Sequence, residues 1–396
     1  MKKFSRLWII LAVLVILVLG AGLRLFAANR LHIDHDETTY LIASNNYANY
    51  IRNGQLSWLA WNTTNNEHPS LNKIIFGVAL LPLDPLDKVL QSDLIDGMPI
   101  KEQQAWQYVL ADRYVSVAFG SLAVALLSIL NPLAGLFLAV DSLAIKYTSE
   151  VYLEALPMLT SLLAVIAYTR FFANYTKNPQ DRKKAWLWLA VSAISLGVAA
   201  ASKYIYCVAG LAIGLHWLVS VIRKKLPVRT LFILLGWGIA SLVMFFVFDP
   251  YLWVHTSERL AKTLSYHFRF QASRHVVNAA YPFWQPLAWL FSPFKAYRPI
   301  HDPAANDAIL FSIDTLIFIL AVIGLPRTFK RQQVFFLWLV IGLAMLFVWG
   351  SKWAQYPLII LAPWCFSAAQ GFFTLVDLFK VKILKRPLTK NQKILP

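Results

Sequence analysis

The sequence predicts an all-α, multi-pass membrane protein with about ten transmembrane helices and extracytoplasmic juxtamembrane helices. Hydrophobic residues make up 58% of the 396 residues, and charged residues only 14%, against roughly 25% in a typical soluble domain. Apolar stretches recur along the chain at the length of roughly 20 residues that a helix needs to cross a bilayer. Basic residues concentrate in alternate short loops, as the positive-inside rule requires of cytoplasmic loops.

The first predicted span covers residues 7–27 and follows the basic start Lys2-Lys3 and Arg6, which places the N-terminus in the cytoplasm. A cleaved signal peptide is the alternative. The apolar part continues to about Ala28, which is long enough to cross a membrane, and Gly20-Ala21-Gly22 is a weak cleavage site. We therefore expect a retained first helix.

A long polar segment, residues 28–105, follows on the extracytoplasmic side. Residues 36–51 have helical character, and residues 74–83 are apolar over only half the length of a span. Short apolar stretches of this kind often lie on a membrane surface. Pro82 and Pro85 are expected to end that surface helix.

The remaining spans alternate without conflict. They are predicted at residues 106–130, 133–147, 150–172, 185–201 and 204–222, in a seventh that ends at 248, at 308–325, in a ninth that ends at 350, and at 356–378. A second extracytoplasmic segment covers residues 249–307. The predicted organisation is one transmembrane domain, residues 1–378, followed by a basic cytoplasmic tail, residues 379–396.

The net charge of +17, from 37 Lys and Arg against 20 Asp and Glu, could suggest a nucleic-acid partner. Its distribution favours a membrane topology instead, because only Asp181 and Asp377 among the acidic residues fall in predicted cytoplasmic segments. Every short loop on that side is basic, which is what sets orientation. The prediction is a plasma-membrane protein with both termini in the cytoplasm and no nucleic-acid partner.

Ionisable residues are dense just after the first span, in the segment from His32 to Tyr40. Asp34, Asp36 and Glu37 lie there beside two histidines. Charge at a membrane boundary needs water, a partner or a function. Seven of the eight histidines and most acidic residues belong to the extracytoplasmic side. The charged residues expected at that end of the helices are Asp36, Glu37, Asp112, Arg113, Glu150, Glu154, Lys203, Asp249 and Lys352.

The Glu150–Glu154 pair and Lys73 each leave two interpretations open. Glu150 and Glu154 are four residues apart, so on a helix they would share one face, either as a solvated helix end or as a wall facing Asp36. Lys73, ahead of an apolar run, would lie near the lipid headgroups and either meet a phosphate or extend towards water. Lys203 is surrounded by small residues, which indicates a fixed anionic partner.

A metal site is the next question. Asp34, His35, Asp36, Glu37 and His68 have suitable ligand chemistry, but no two histidines have the i, i+4 spacing of a zinc helix. We expect no tightly bound cofactor. A loosely held Mg²⁺ or Mn²⁺ that assists a phosphate leaving group stays open.

The order of several short motifs resembles a known family. The motifs are Asp36-Glu37-Thr38-Thr39-Tyr40, His68-Pro69-Ser70-Leu71-Asn72-Lys73, Ala111-Asp112-Arg113, Glu150-Val151-Tyr152-Leu153-Glu154, Ser202-Lys203-Tyr204, Phe248-Asp249-Pro250-Tyr251-Leu252-Trp253 and Lys352-Trp353-Ala354-Gln355-Tyr356-Pro357. Together they resemble the GT-C glycosyltransferases of the protein O-mannosyltransferase and lipid A aminoarabinose transferase type. The resemblance covers most of residues 1–365 and rests on the order and the membrane side of the motifs.

The resemblance implies an enzyme that moves a sugar from a polyprenyl-phosphate donor to an acceptor hydroxyl at the extracytoplasmic face, usually with inversion. It implies Asp36 as the base and Glu37 as a group that orients the acceptor or the base. Lys73, Arg113 and Lys203 become candidates for the lipid phosphate. The candidate substrate pocket is formed by Tyr40, His68, Glu150, Glu154, Asp249 and Lys352. The sugar is expected to be a mannose-like hexose or an aminopentose, and the acceptor a protein, lipid or polysaccharide.

Two other functions remain as alternatives: a transporter or flippase for a lipid-linked sugar, and a non-catalytic subunit that binds the carrier lipid. Transporter sites usually lie near the middle of the membrane, between inverted repeats and broken helices. No repeat is visible here, and charges inside the spans are few: Asp141, Lys146 and Asp314. The sequence therefore favours the transferase.

Overall fold

The computed structural model describes residues 2–85, 105–177, 182–294 and 304–382. Asp181, His301 and residues 383–396 of the predicted tail lie outside the described residues. The described ranges are helical and contain no β-strand. The helices are α1 (Lys2–Ala28), α2 (His35–Arg52), α3 (Leu71–Ala79), α4 (Trp106–Leu130), α5 (Pro132–Val140), α6 (Ser142–Tyr147), α7 (Ala155–Lys177), α8 (Arg182–Ser202), α9 (Val208–Ile222), α10 (Thr230–Phe248), α11 (Thr256–Phe270), α12 (Arg274–Ala279), α13 (Gln285–Phe291), α14 (Ala305–Ala308), α15 (Asp314–Arg331), α16 (Gln333–Val348) and α17 (Leu358–Lys382).

Seven helices of the described chain are long and apolar enough to cross a membrane: α1, α4, α7, α8, α9 with the turn before it, α10 and α17. The other three predicted spans correspond to the α5–α6 pair, to α15, and to the shorter apolar helix α16. Exposed apolar side chains cover α10, including Phe232 and Leu235. Such a surface suits contact with lipid tails, because a helix that is apolar all round is stable only in an apolar environment.

Two predicted spans have different boundaries. The span predicted at residues 133–147 is two helices, α5 and α6, separated at Asp141, and the span predicted from Glu150 begins at Ala155 instead. Residues 148–154 form a buried loop. The surface helix predicted at residues 74–83 corresponds to α3, which covers Leu71–Ala79. The helix predicted at residues 36–51 is confirmed as α2.

The break between α5 and α6 is held by charged side chains. Arg24 of α1 is fully buried and donates from Nη2 to the Leu138 carbonyl at 3.1 Å and from Nη1 to the Ala139 carbonyl at 3.3 Å. Asp141 caps α6 by accepting from the Ala144 N–H at 2.9 Å. Asp314, at the start of α15, accepts from the Ser142 N–H at 3.1 Å. These contacts pair backbone groups that a broken helix leaves unpaired inside a membrane.

The elements that carry the predicted site meet at one end of the bundle. There the end of α1 meets the start of α4, the loop before α7 and the end of α8. Helix α11 lies across the same end. Its first turn follows Trp253, whose indole donates to the Phe246 carbonyl of α10 at 2.7 Å. At its other end, Gln271 accepts from the Gly350 N–H, just after α16, at 3.0 Å.

Candidate active site

The start of α2 is fixed by reciprocal capping. The Asp34 carboxylate accepts from the Asp36 N–H at 3.4 Å, and the Glu37 carboxylate accepts from the Asp34 N–H at 3.0 Å. A capping box of this kind pairs backbone donors that a helix N-terminus leaves free. Consequently, Asp34, Asp36 and Glu37 are held on the first turn of α2 in a defined arrangement.

Glu37 and Arg113 form a buried ion pair. Arg113 donates from Nε to Glu37 Oε1 at 2.8 Å and from Nη2 to Oε2 at 2.5 Å. Its remaining N–H groups bind the carbonyls of Ala28, Leu31 and His32, each at 2.8 Å. Glu37 Oε1 also accepts a backbone N–H from the loop before α7 at 2.7 Å. These contacts occupy the N–H donors of Arg113, a residue that the sequence analysis placed among the candidates for the lipid phosphate.

Lys146 pairs with two carboxylates next to this clamp. Its ammonium lies 2.7 Å from Glu150 Oε1 and 3.3 Å from Asp34 Oδ2. The Tyr152 hydroxyl donates to Asp34 Oδ1 at 2.6 Å. Burial alone would raise the pKa of Asp34, but Lys146 and the Tyr152 hydroxyl outweigh it and hold that pKa below its usual value.

Glu154 pairs instead with Lys203, and both side chains are buried. The expectation that Glu150 and Glu154 share a helix face is wrong, because α7 begins only at Ala155 and the two carboxylates face different lysines. The expectation that Lys203 has a fixed anionic partner is confirmed. The ammonium also lies 5.7 Å from the centre of the Tyr356 ring. Burial raises the pKa of Glu154, and Lys203 opposes that rise.

Asp36 differs from the carboxylates around it. Asp34, Glu37, Glu150 and Glu154 each have a salt bridge, whereas among the described residues Asp36 has none. Its side chain is partly exposed. Burial raises the pKa of Asp36 and so does the neighbouring Asp34, against the opposing effects of Lys203, His35 and a hydrogen bond from Tyr152.

His68 and Lys73 belong to one loop and the helix that follows it. Lys73 does not extend towards water: the residue is 1% exposed, and its ammonium donates to the Asn65 and His68 carbonyls at 2.5 and 2.9 Å. Burial lowers its pKa to about 8. Burial, Lys203 and His267 hold the pKa of His68 well below its usual value, so this imidazole is neutral at physiological pH.

Tyr40 and Asp249 lie on opposite sides of this loop. The Tyr40 ring is 6.2 Å from His68 and 6.0 Å from Tyr152, which places it between the loop and the carboxylate cluster. Asp249 is buried and accepts from the Ser70 N–H at 3.0 Å and from the Ser70 hydroxyl at 2.5 Å. Asp249 therefore anchors the start of α3 and is not part of the Asp36 cluster.

Helix α11 supplies residues that the sequence analysis did not assign to the site. His267 bonds through Nε2 to the Glu67 carbonyl at 2.9 Å, and its ring lies 5.7 Å from His68. Arg259 donates to the Ala60 and Tyr251 carbonyls at 2.5 and 2.6 Å. Glu67 and Ala60 are about 200 residues from their partners in sequence, and the one sequence signal was the number of histidines in the second extracytoplasmic segment.

Lys352 lies apart from the other predicted residues. Its ammonium binds the Trp349 carbonyl and lies 3.4 Å from the Phe347 carbonyl, at the end of α16. A cation in this position interacts favourably with a helix C-terminus. Among the described residues, no group of three or more His, Cys, Asp and Glu side chains is placed to share a metal ion.

Comparisons with known proteins show the fold. No family model and no curated protein matches the sequence. The fold is similar to the crystal structure of ArnT from Cupriavidus metallidurans in the apo state, with a TM-score of 0.58 and 12% identity over 98% of this chain and 67% of that one. It is also similar to ArnT from the same organism bound to undecaprenyl phosphate, with a TM-score of 0.57 and 13% identity over 97% of this chain and 66% of that one. The chain thus spans about two thirds of the length of ArnT, and the predicted all-α, multi-pass membrane fold is confirmed.

Proposed function

We propose that this protein is an inverting glycosyltransferase that moves a sugar from a polyprenyl-phosphate donor to an acceptor hydroxyl, with Asp36 as the general base. The observation that carries the proposal is the isolation of Asp36. Among the described residues it is the carboxylate of the cluster without a salt bridge, whereas the other acids pair with Lys146, Arg113 and Lys203. The similarity in fold to ArnT, which has been crystallised with undecaprenyl phosphate, supports the class of donor.

In the proposed reaction the acceptor oxygen attacks the anomeric carbon while Asp36 takes the hydroxyl proton. The bond between that carbon and the phosphate oxygen breaks, and its electron pair leaves with the polyprenyl phosphate. A base works best when its pKa lies near the working pH. The raised pKa of Asp36 moves this carboxylate in that direction.

Lys203 is the cation best placed for the leaving phosphate. Its ammonium pairs with Glu154 and lies 5.7 Å from the centre of the Tyr356 ring, and its positive charge opposes the rise in the pKa of Asp36. A positioned cation stabilises the charge that develops on a leaving phosphate. We propose that the phosphate takes over part of the contact that Lys203 makes with Glu154.

The other predicted residues receive different roles in this proposal. Glu37 and Arg113 position the first turn of α2, and Lys73 positions the loop that carries His68. The second oxygen of Glu154, Oε2, is buried without a hydrogen-bond partner among the described residues. A buried acceptor of this kind is costly unless something donates to it, and a hydroxyl of the donor sugar would do so.

A divalent cation stays a prediction. Mg²⁺ or Mn²⁺ could assist the leaving phosphate, as in other phosphate chemistry. The expected outcome is that EDTA treatment followed by the return of Mg²⁺ or Mn²⁺ lowers and then restores transfer. Transfer that is insensitive to EDTA would assign the phosphate to Lys203 alone.

The transporter alternative receives less support. Asp141 and Asp314, the acids that the sequence placed inside spans, cap helix ends at the α5–α6 break. Their oxygens therefore have a structural use. The carrier-binding alternative is separated from the transferase by the experiment that follows.

The test compares membranes that contain wild type or Asp36→Asn, each fed a panel of radiolabelled polyprenyl-phosphate sugars. We expect Asp36→Asn to lower transfer of label by about 10²–10⁴-fold, the contribution of a general base. Asp84→Asn is the matched control, since Asp84 is exposed in the described chain before α4. Equal transfer by wild type and Asp36→Asn would contradict the proposal. Saturable binding of a donor without transfer would favour a carrier-binding protein.

A further inference from the structure

A cavity of about 90 Å³ lies beyond the carboxylate cluster, between α12 and the loop that joins α16 to α17. Val276, Val277 and Ala280 form its apolar side, and Tyr281, Trp353 and Lys352 complete the lining. Small-molecule sites typically combine apolar and aromatic walls with a few polar groups. The volume accommodates several waters or one polar substituent of a larger molecule.

The cation of this cavity has no counter-ion in the described chain. Lys352 is 6% exposed, and its ammonium contacts the Trp349 and Phe347 carbonyls. No carboxylate among the described residues forms a salt bridge with it. Burial lowers its pKa. A buried ammonium is stabilised most by an anion, so the cavity favours an anionic group.

Aromatic rings connect this cavity to the surroundings of Asp36. Tyr266 stacks on Phe270, with ring centres 5.7 Å apart and an interplanar angle of 16°. Phe270 lies 6.5 Å from Trp353, which lines the cavity. At the other end, Tyr266 lies 5.7 Å from His267 of the site. We call Tyr266, Phe270 and Trp353 the aromatic row.

The exposure of the aromatic row fits a ligand that binds along it. Tyr266 is 38% exposed, and Phe270 and Trp353 are partly exposed. Tyr266 reaches the site through His267, whose ring lies 5.7 Å from His68. Exposed aromatic rings suit contact with the apolar C–H groups of sugars, because aromatic side chains combine large apolar area with fixed geometry.

Charge beside the aromatic row is positive. Residues 255–280 contain four Arg and Lys residues and one Glu. Arg269 and Arg274 are exposed, at the end of α11 and the start of α12. Basic residues at this end are unexpected from the positive-inside rule, which concentrates them in cytoplasmic loops. They fit a ligand that carries several negative charges.

We infer that the acceptor is an anionic saccharide that lies along the aromatic row, with an acidic group of one sugar in the Lys352 cavity and a hydroxyl of another at Asp36. The inference deepens the proposed function by naming the class of acceptor. It rests on that function for the transfer step. Binding of the saccharide can be measured without transfer.

The experiment uses the full chain in lipid nanodiscs and two probes, tetragalacturonate and the neutral maltotetraose. Isothermal titration calorimetry should show tighter binding of tetragalacturonate, which weakens at high salt because screening reduces charge interactions. Lys352→Met should lower that affinity by about tenfold or more, the value of a charge-assisted hydrogen bond. Lys225→Met, which removes an exposed lysine of the loop between α9 and α10, should leave the affinity within about twofold, since that loop is predicted to lie on the other side of the membrane.

Two further measurements keep the inference testable if Lys352→Met does not fold. Methyl esterification of tetragalacturonate removes its charge without a change in the protein, and it should lower affinity to that of maltotetraose. Phe270→Leu should weaken both saccharides by several-fold, because an aromatic contact contributes roughly 0.5–1.5 kcal/mol beyond its area.

Several outcomes would overturn the inference. Equal affinity for tetragalacturonate and its methyl ester would remove the anionic requirement. Binding of neither saccharide, together with Lys352-dependent binding of anionic phospholipid vesicles, would assign the aromatic row to the membrane surface. The two proposals fail separately: loss of transfer in Asp36→Asn with unchanged saccharide binding in Lys352→Met would sustain the enzyme and contradict the acceptor.

Discussion

Five carboxylates lie near the first turn of α2, and their contacts separate their roles. Glu37 and Glu154 are buried against Arg113 and Lys203, and Glu150 against Lys146. Buried charges of this kind are tolerated when they are paired. Asp36 keeps access to solvent. Asp36, whose charge no salt bridge among the described residues neutralises, is therefore the carboxylate that can exchange a proton with a substrate.

Transfer should depend on pH through Asp36. A base must be deprotonated to act, and the pKa of Asp36 is raised above its ordinary value of roughly 3.9. Lowering the pH through the raised pKa should therefore reduce kcat/KM at a pH where an ordinary aspartate would still be ionised. The measurement is a pH profile of transfer by wild type and Asp36→Glu. An acidic limb that does not move between the two would assign the titration to another group.

The same shift gives the sign of a stability effect. Because the folded protein binds the Asp36 proton more tightly than the unfolded chain, ionised Asp36 lowers stability once the pH exceeds the folded-state pKa. Asp36→Asn removes that charge. At neutral pH this variant should unfold at the same or a higher temperature than wild type while losing transfer. Unfolding at a clearly lower temperature would show that lost activity reflects a damaged fold.

The local sequence pattern predicts which charged residues belong to the site, but not which of them form salt bridges with each other. The small residues around Lys203 indicated an anionic partner, and Glu154 is that partner. Lys146, Tyr152 and His267 were not assigned to the site. Lys146 and Tyr152 contact Asp34, and His267 contacts the Glu67 carbonyl, so these contacts join residues 112 to 200 positions apart. Such pairs have no signature in spacing, since they depend on how whole helices pack.

At the scale of elements, the Glu37–Arg113 pair joins the first turn of α2 to α4, to the end of α1 and to the loop before α7. Arg113 also donates to the carbonyls of Ala28, Leu31 and His32, at and just after the end of α1. A rigid supporting shell of this kind is what holds a catalytic group in place. The orientation of Asp36 thus depends on residues that do not touch the substrate.

Breaking this pair should destabilise the protein strongly. Glu37→Ala or Arg113→Ala leaves one buried charge unpaired, which costs about 3–5 kcal/mol. The double variant should lose less stability than the sum of the losses in the two single variants, because neither buried charge then remains. Thermal unfolding in nanodiscs measures all three, and Arg52→Ala, a partly exposed arginine of α2, is the control. Additive losses would show that the two side chains act independently.

Arg113→Lys tests the geometry of the clamp. Lysine keeps the charge but lacks the planar fork that binds a carboxylate through two bonds. We expect the variant to lose stability and transfer together, since carbonyl contacts to the end of α1 are lost as well. Full retention of both would show that charge alone, and not these contacts, positions α2.

At the scale of the molecule, hydropathy predicted the fold well, and the failures have a physical cause. Spans such as α4 and α8 follow from long apolar stretches. The break at Asp141 was missed because α5 and α6 together read as one apolar stretch. Arg24 and Asp314, which pair the free backbone groups there, come from helices distant in sequence. A broken helix is stable inside a membrane only with such partners.

The orientation of the bundle remains a prediction that follows from the charges of its loops. Asn53 lies just after α2, at the end of the bundle that carries Asp36, and Lys225 lies in the basic loop between α9 and α10. Both are exposed. In a variant that lacks Cys207 and Cys365, a membrane-impermeant maleimide should label Asn53→Cys in intact cells. It should label Lys225→Cys only after the membrane is opened.

The positive-inside rule gives this expectation its direction, because the short loops with several Lys and Arg residues set topology. Labelling with the two sites exchanged would place Asp36 in the cytoplasm, where an acceptor outside the cell could not reach it. Labelling of both sites in intact cells would indicate leaky cells, which an added cytoplasmic reporter detects. The cysteine-free parent gives the background of the labelling. The membrane side of Asp36 thus decides which acceptors can meet the base.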